Sequence, residues 1–192
     1  IQTTIYAPHF ISTVVIVGVV LIFLSPRTGI INQIITLLGG EPIFFMGKPE
    51  YFKSIYVLSG IWQNTGWGTI VYLAALANIN PELYESSTVD GANRWQKILH
   101  IDLPGILPTA IIMLILNSGN ILSVGFEKIY LMQNSLNRTT SEVISTYVYK
   151  IGLINVQYSY STAIEMFNAV TNLIILLIVN RLAKSFSETS LW

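Results

Sequence analysis

The chain has 192 residues, of which 52% are hydrophobic and only 10% charged, and its formal net charge is zero. A soluble domain carries about 25% charged residues, so this composition points to a membrane protein, and a neutral chain gives no electrostatic footing for nucleic acid. Without cysteine there is no disulfide framework or thiolate metal site, and His9 and His100 are too far apart in sequence to suggest a histidine metal cluster.

A helix needs about 20 mostly apolar residues to cross the hydrocarbon core. The first predicted span runs from about residue 5 to 24 and is stopped by Ser25-Pro26. The sequence opens at Ile1 directly in apolar residues, without the charged start and cleavage pattern of a signal peptide. It is therefore expected to be the C-terminal part of a longer polypeptide. Residues 28–39 carry apolar side chains at 30, 31, 34, 35, 37 and 38, a broad helical stripe too short to span, with Gly39 placed as a C-cap. A helix lying in the membrane interface fits that pattern.

The second span is predicted at about 55–77, the third at about 104–124 and the fourth at about 161–182, where Arg181 and Lys184 mark its exit. Pro104 suits a first helical turn, where a missing N–H costs nothing. The connection 125–160 is rich in aromatics towards its end but too polar to cross lipid. Alternating spans put the loop 79–103 and the C-terminal end on one side, with Arg94, Lys97, Arg181 and Lys184. The other side holds Arg27, Lys48, Lys53, Lys128, Arg138 and Lys150. Charge counting thus disfavours a cytoplasmic 79–103 loop, but upstream helices dominate that rule, so orientation stays open on charge alone.

The loop 79–103 is more organised than a connector requires. Asn80-Pro81-Glu82 is a helix start, with Asn as N-cap, Pro at the first helical position and an acid near the positive end. Residues 83–89 can form two turns, Asp90-Gly91 a turn, and 94–99 a second short helix before Leu103-Pro104. The order Glu85-Ser86-Ser87, Asp90-Gly91-Ala92, Ile101 and Leu103-Pro104 resembles the EAA loop of membrane subunits of ATP-binding-cassette importers, in the form found in maltose-type carbohydrate permeases. Ser86-Ser87 stand where that family usually has Ala-Ala. Further segments are similar to the polysaccharide and complex-sugar permease subfamily: Tyr6 to Ser12, Trp67 to Ile70, Pro81 to Glu85 and the ending Glu188 to Trp192.

The resemblance implies an all-α, polytopic type I importer (MetI-like) permease fold, with four spans present of an expected six and the N-terminal spans missing. It also implies a bacterial cytoplasmic membrane, with the 79–103 loop on the cytoplasmic side. Implied partners are an ATPase dimer holding ATP and Mg, a second permease subunit, an extracellular solute-binding protein and a sugar, with membrane lipid around the spans. Glu85 would make a charge-assisted contact to the ATPase, and Gly91 would set the turn between the short helices. The chain itself has no Walker A run (Gly47-Lys48-Pro49 lacks the preceding glycine and the hydroxyl), so ATP hydrolysis is expected on partner chains.

Polar residues inside spans are expensive and face a cavity or a neighbouring helix. Trp62, Gln63 and Asn64 in the second span, Asn117 and Asn120 in the third, and Glu165, Asn168 and Asn172 in the fourth are candidates to line a sugar path. Amides and carboxylates suit hydroxyls, and rings suit the C–H faces of sugars. Interhelical hydrogen bonding is the competing use. The spacings 165/168 and 168/172 let the last three share one helix face. An intramembrane enzyme lacks its motifs here, and an ion-coupled carrier would have only Glu165 as intramembrane charge. A permease for a solute other than sugar is the remaining alternative.

Overall fold

The computed structural model describes residues 2–186, and within them every regular element is helical. In chain order the α-helices are α1 (Gln2–Tyr6), α2 (Thr13–Phe23), α3 (Ile30–Leu37), α4 (Pro49–Ala77), α5 (Pro81–Val89), α6 (Arg94–Lys97), α7 (Leu103–Ser118), α8 (Phe126–Met132), α9 (Arg138–Ser141), α10 (Ile144–Tyr149) and α11 (Tyr158–Phe186). The ending Glu188 to Trp192 lies outside the described residues. Two compact units divide the described chain, 2–67 with 123–165 and 68–122 with 166–186, so α4 and α11 each contribute to both.

In the first unit the span predicted at 5–24 is broken. Helix α1 runs into a 3-10 turn at Ala7–Phe10, Ile11 is extended (φ −80°, ψ 132°), and α2 restarts behind Ser12, whose hydroxyl accepts from the Val15 N–H at 3.4 Å. The two pieces meet at 103°. Pro8, which has no N–H and whose ring clashes with the carbonyl four residues back, turns the end of α1 into the 3-10 turn, and the bend itself falls at the extended Ile11 and the Ser12 cap. A continuous apolar run was compatible with one helix, but the extended Ile11 and the Ser12 cap divide it.

The stripe at 28–39 forms α3 and ends in a Schellman turn. Gly39 has φ +85°, its N–H reaches the Thr36 carbonyl at 3.0 Å, and the Gly40 N–H reaches the Ile35 carbonyl at 2.9 Å. One buried side chain fastens this segment. Asn32 donates to the Ser25 and Ile43 carbonyls, both at 3.0 Å, and accepts from the Ile43 N–H at 2.7 Å. Val17, Met46, Phe52, Ile129 and Met132 form the apolar centre of this unit, with Val20, Leu24, Ile55, Tyr56 and Val143 against it.

The polar connection 125–160 is an ordered cap built on amides. Asn137 is fully buried. It donates to the Met46 and Met132 carbonyls, both at 3.1 Å, and accepts from the Asn134 N–H at 2.9 Å. Thr140 donates to the Pro49 carbonyl at 2.8 Å. Lys150 donates to Gln133 at 2.5 Å and to the carboxylate of Glu142, which also takes Arg138 at 2.9 Å. Burial by itself would push the Glu142 carboxyl up, but the hydrogen bonds and charge of Lys150 and Arg138 outweigh it and hold it below the ordinary carboxylate value.

In the second unit α5, α6 and α7 follow one another, and the later part of α11 joins them. Residues 94–118 form one continuous helical stretch of 25 residues, with a wide π-type turn at Ile98–Asp102 between α6 and α7. Pro104 would clash with a carbonyl one regular turn earlier, and the widened turn directly before it relieves that conflict. The third span was expected to reach 124, but α7 ends at Ser118. The Ser118 hydroxyl turns back to the Ile115 carbonyl at 2.6 Å, and turns at Gly119 and Asn120 follow.

Two helical stretches of the described chain, 94–118 and 158–185, are long and apolar enough to cross a membrane, and the bent pair at 3–23 makes a third candidate. Helix α4 has 29 residues, starting before the predicted 55 at Pro49-Glu50, a proline and an acid at a helix start. Its length of about 43 Å is sufficient, and Trp62 to Trp67 dilute its apolar character. Large apolar side chains on these helices point outward, as with Ile22, Leu58 and Leu114, each more than 60% exposed. Lipid, rather than water, is the solvent that such a surface suits.

Candidate coupling loop and transport-path residues

The loop 79–103 folds from local rules. The Asn80 side chain accepts from the Glu82 N–H at 3.1 Å, and Pro81 opens α5. Gly91 has φ +75°, and nothing lies within 4 Å of where its Cβ would be. The left-handed backbone, rather than crowding, is what requires glycine there. Asn93 and Gln96 form a reciprocal capping box at 2.8 and 3.0 Å that starts α6.

Two side-chain bridges turn this string into a unit. The Tyr84 hydroxyl donates to Asp102 at 2.6 Å, tying α5 to the wide turn at the root of α7. Lys97 donates to the Thr88 hydroxyl at 2.7 Å, tying α6 to α5. The hydrogen bond to Asp102, with smaller help from burial and its charge, pushes the Tyr84 hydroxyl pKa up. Neither bridge has a sequence signal, because the partners are 18 and 9 residues apart.

Glu85, Ser86, Asp90, Leu103 and Pro104 are exposed, and Ser87, Ala92 and Ile101 are half-buried. Ser86 and Ser87 spend their hydroxyls on the Leu83 and Tyr84 carbonyls of their own helix, at 3.1 and 2.8 Å. Sequence reasoning missed the apolar contribution: Val89 is 88% and Trp95 73% exposed, one on each short helix. Large apolar residues in an otherwise polar loop were the available signal.

The path candidates do not share one environment. Trp62 and Asn64 are exposed and Gln63 is half-buried, and Asn64 donates back to the Gly60 carbonyl of its own helix at 3.0 Å. Asn117 is exposed near the end of α7, and Asn120 lies beyond it in the turn. Glu165 is exposed, whereas Asn168 and Asn172 are buried. Asn172 accepts from the Leu122 N–H at 3.3 Å, so it satisfies the chain just after α7, the interhelical use. The Asn168 side-chain oxygen is buried without a hydrogen-bond partner. Asn180, also buried on α11, was not foreseen.

Near the start of the chain, His9 stacks on Trp67 with ring centres 4.5 Å apart and planes 7° from parallel. Gly66 lets α1 approach α4, because a Cβ there would collide with the Ile5 carbonyl. His9 and Trp67, each from a segment singled out by resemblance, therefore touch.

Residues 1–188 match the binding-protein-dependent transport system inner membrane component. The chain belongs to this family. Similar proteins include protein LplB of Bacillus subtilis (strain 168), 44% identical over the whole chain and 60% of that protein. The polygalacturonan/rhamnogalacturonan transport system permease protein YteP of the same organism is also 44% identical, over the same shares. The chain thus spans about three-fifths of the length of these relatives. Among solved structures, a bacterial ABC transporter involved in import of the acidic polysaccharide alginate matches with a TM-score of 0.93 and 46% identity, over 97% of this chain and 65% of that one. The alginate transporter in complex with an alginate pentasaccharide-bound periplasmic protein matches at 0.94 and 46%, over 99% and 66%. This chain is accordingly an all-α membrane protein with the permease fold of these importers.

Proposed function

We propose that the protein is the membrane-spanning subunit of an ATP-driven importer that carries a sugar oligomer or polysaccharide fragment across the cytoplasmic membrane. The observation that carries this reading is the braced helix pair at 80–103. It is capped at both starts, turned at Gly91, pinned to α7 by Tyr84 and Asp102, and presents Val89 and Trp95 outward. A solvated connector needs neither the bracing nor the exposed tryptophan. A partner ATPase closing on that surface would push on α7 through the bridge, and α7 would move as a rigid element.

On this reading the chain holds no cofactor of its own, and ATP and Mg sit on an ATPase dimer. Glu85 makes the charge-assisted contact to that ATPase, and Ser87, Asp90, Ala92, Ile101, Leu103 and Pro104 shape the platform. A second permease subunit completes the pathway, and an extracellular binding protein delivers the sugar; the similar alginate transporter is in complex with an alginate pentasaccharide-bound periplasmic protein. Alginate and polygalacturonan, named for two of the similar proteins, are both polymers of uronic acids. Trp62, Gln63, Asn64, Asn117, Asn120 and Glu165 remain proposed wall residues. Asn168 is proposed to have a sugar hydroxyl as partner for its unpaired oxygen.

The test is reconstitution of the full-length protein with its ATPase, second permease and binding protein in liposomes. Gly91→Pro combined with Glu85→Ala should assemble but lose sugar-stimulated ATP hydrolysis and uptake together. Intact coupling in that variant would refute the docking role.

A further inference from the structure

Lys128, in the short helix α8, is 8% exposed and is the one charged residue in the buried set of the described chain. Its Nζ is shut off from solvent and has no hydrogen-bond partner. Nζ stands 5.4 Å from the centre of the Tyr56 ring and would lie 3.7 Å from a Cβ placed on Gly60. The next residue, Ile129, belongs to the apolar centre beside Phe52.

The same cap shows what a structural lysine looks like here: Lys150 donates to Gln133 and to both oxygens of Glu142. Lys128 has nothing comparable. A cation–π contact offsets only part of the cost of taking an ammonium out of water. Burial accordingly lowers the Lys128 pKa. Packing alone would be served by methionine or leucine at no such cost. A buried ammonium with no acid beside it is open to an anion from outside these residues.

We propose that Lys128 holds the carboxylate of an acidic sugar oligomer in transit, reaching it by swinging its four-carbon stem away from the Tyr56 ring. This rests on the sugar-importer reading above and narrows it to uronate-containing substrates. A carboxylate on a neighbouring subunit is the other conceivable anion. In its resting position Nζ is enclosed by atoms of its own chain, so any anion meets it only once the stem swings out; a carboxylate fixed on a neighbouring subunit would hold it out permanently, and a lowered melting temperature in Lys128→Met is the result that would show this.

The experiment uses the full-length protein in its assembled transporter, with Lys128→Met and Lys128→Arg variants. Oligogalacturonate and a neutral galacto-oligosaccharide serve as import probes. Lys128→Met keeps the stem's bulk and removes only the charge. It is expected to assemble, to melt at the same or a higher temperature without sugar, and to raise the KM for oligogalacturonate by about tenfold or more. Lys128→Arg should retain acid import within about threefold. Two results with the variant overturn the inference: a lowered melting temperature in Lys128→Met, which would show the ammonium paired inside the complex, or acid import unchanged by it. Wild-type import of the neutral probe but not the acidic one would also overturn it and leave the importer reading standing. Import of neither would remove that reading itself.

Discussion

Removing the Tyr84 hydroxyl tests whether α5 is braced to α7. Tyr84→Phe deletes a 2.6 Å hydrogen bond to Asp102 and little else, since the ring stays. A hydrogen bond to a charged group contributes about 1.5–3 kcal/mol when shielded, and both partners here are half-buried, so about 1 kcal/mol is the appropriate figure. That corresponds to about a fivefold rise in the population of α5 detached from the wide turn. Hydrogen exchange on the assembled transporter should show amides 84–89 exchanging about fivefold faster, with α7 beyond residue 108 unchanged. Uptake per ATP should fall while basal ATP hydrolysis persists. Asp102→Asn combined with Tyr84→Phe should be no worse than the more damaging single change, because both cut one interaction. If the two effects simply add, or if exchange in α5 does not change, the bridge carries no energy and the bracing argument fails. The pH dependence has a definite sign. Asp102 raises the Tyr84 pKa above its unfolded value of about 10, so the bridge is fully present below pH 10 and is lost only as pH rises through the raised value.

Three further outcomes are expected. Asn137→Ala leaves the Met132 carbonyl and the Asn134 N–H without their partner in a fully buried site, and should destabilise the cap by about 3 kcal/mol; limited proteolysis between residues 130 and 150 reports it, and unchanged resistance would contradict the staple. Ser86→Ala with Ser87→Ala removes hydroxyls that only bond their own helix, so coupling of uptake to ATP should be kept and α5 slightly strengthened; a loss of ATPase binding would mean that those hydroxyls face the partner. Glu142 is held below the ordinary carboxylate value, so its contribution to the cap is complete above about pH 4.3 and is lost as pH falls through the depressed value; acid melting of Glu142→Gln should lack that part of the dependence.

What could be read from the sequence was governed by near neighbours. Asn80, Pro81 and Gly91 announce the short helices because caps and left-handed turns act over a few residues, and long apolar runs announce helices 103–118 and 158–186. Ser12 carried the restart inside the first span as a helix cap, but the apolar run around it hid that signal. The early start of α4 was signalled by Pro49-Glu50 and hidden by the polar residues that follow. Tertiary pairing was beyond reach. Nothing local distinguishes Asn172, which closes the chain after α7, from Asn117, which stands exposed, and nothing marks Lys128 as enclosed while Lys150 is paired.

The wide turn at Ile98–Asp102 gives the 94–118 stretch a mechanical character. At 1.5 Å per residue those 25 residues make a rod of about 37 Å. A tilt of about 10° at its base would carry its far end through about 6 Å, a displacement larger than one helical turn. A widened turn is a soft joint in such a rod, and left alone it would absorb the tilt as local bending. Tyr84 grips Asp102, the last residue of that joint, from the outside. The arrangement is that of a strut across an elbow: it converts a compliant joint into a lever, and the stiffness of that lever hangs on one phenol.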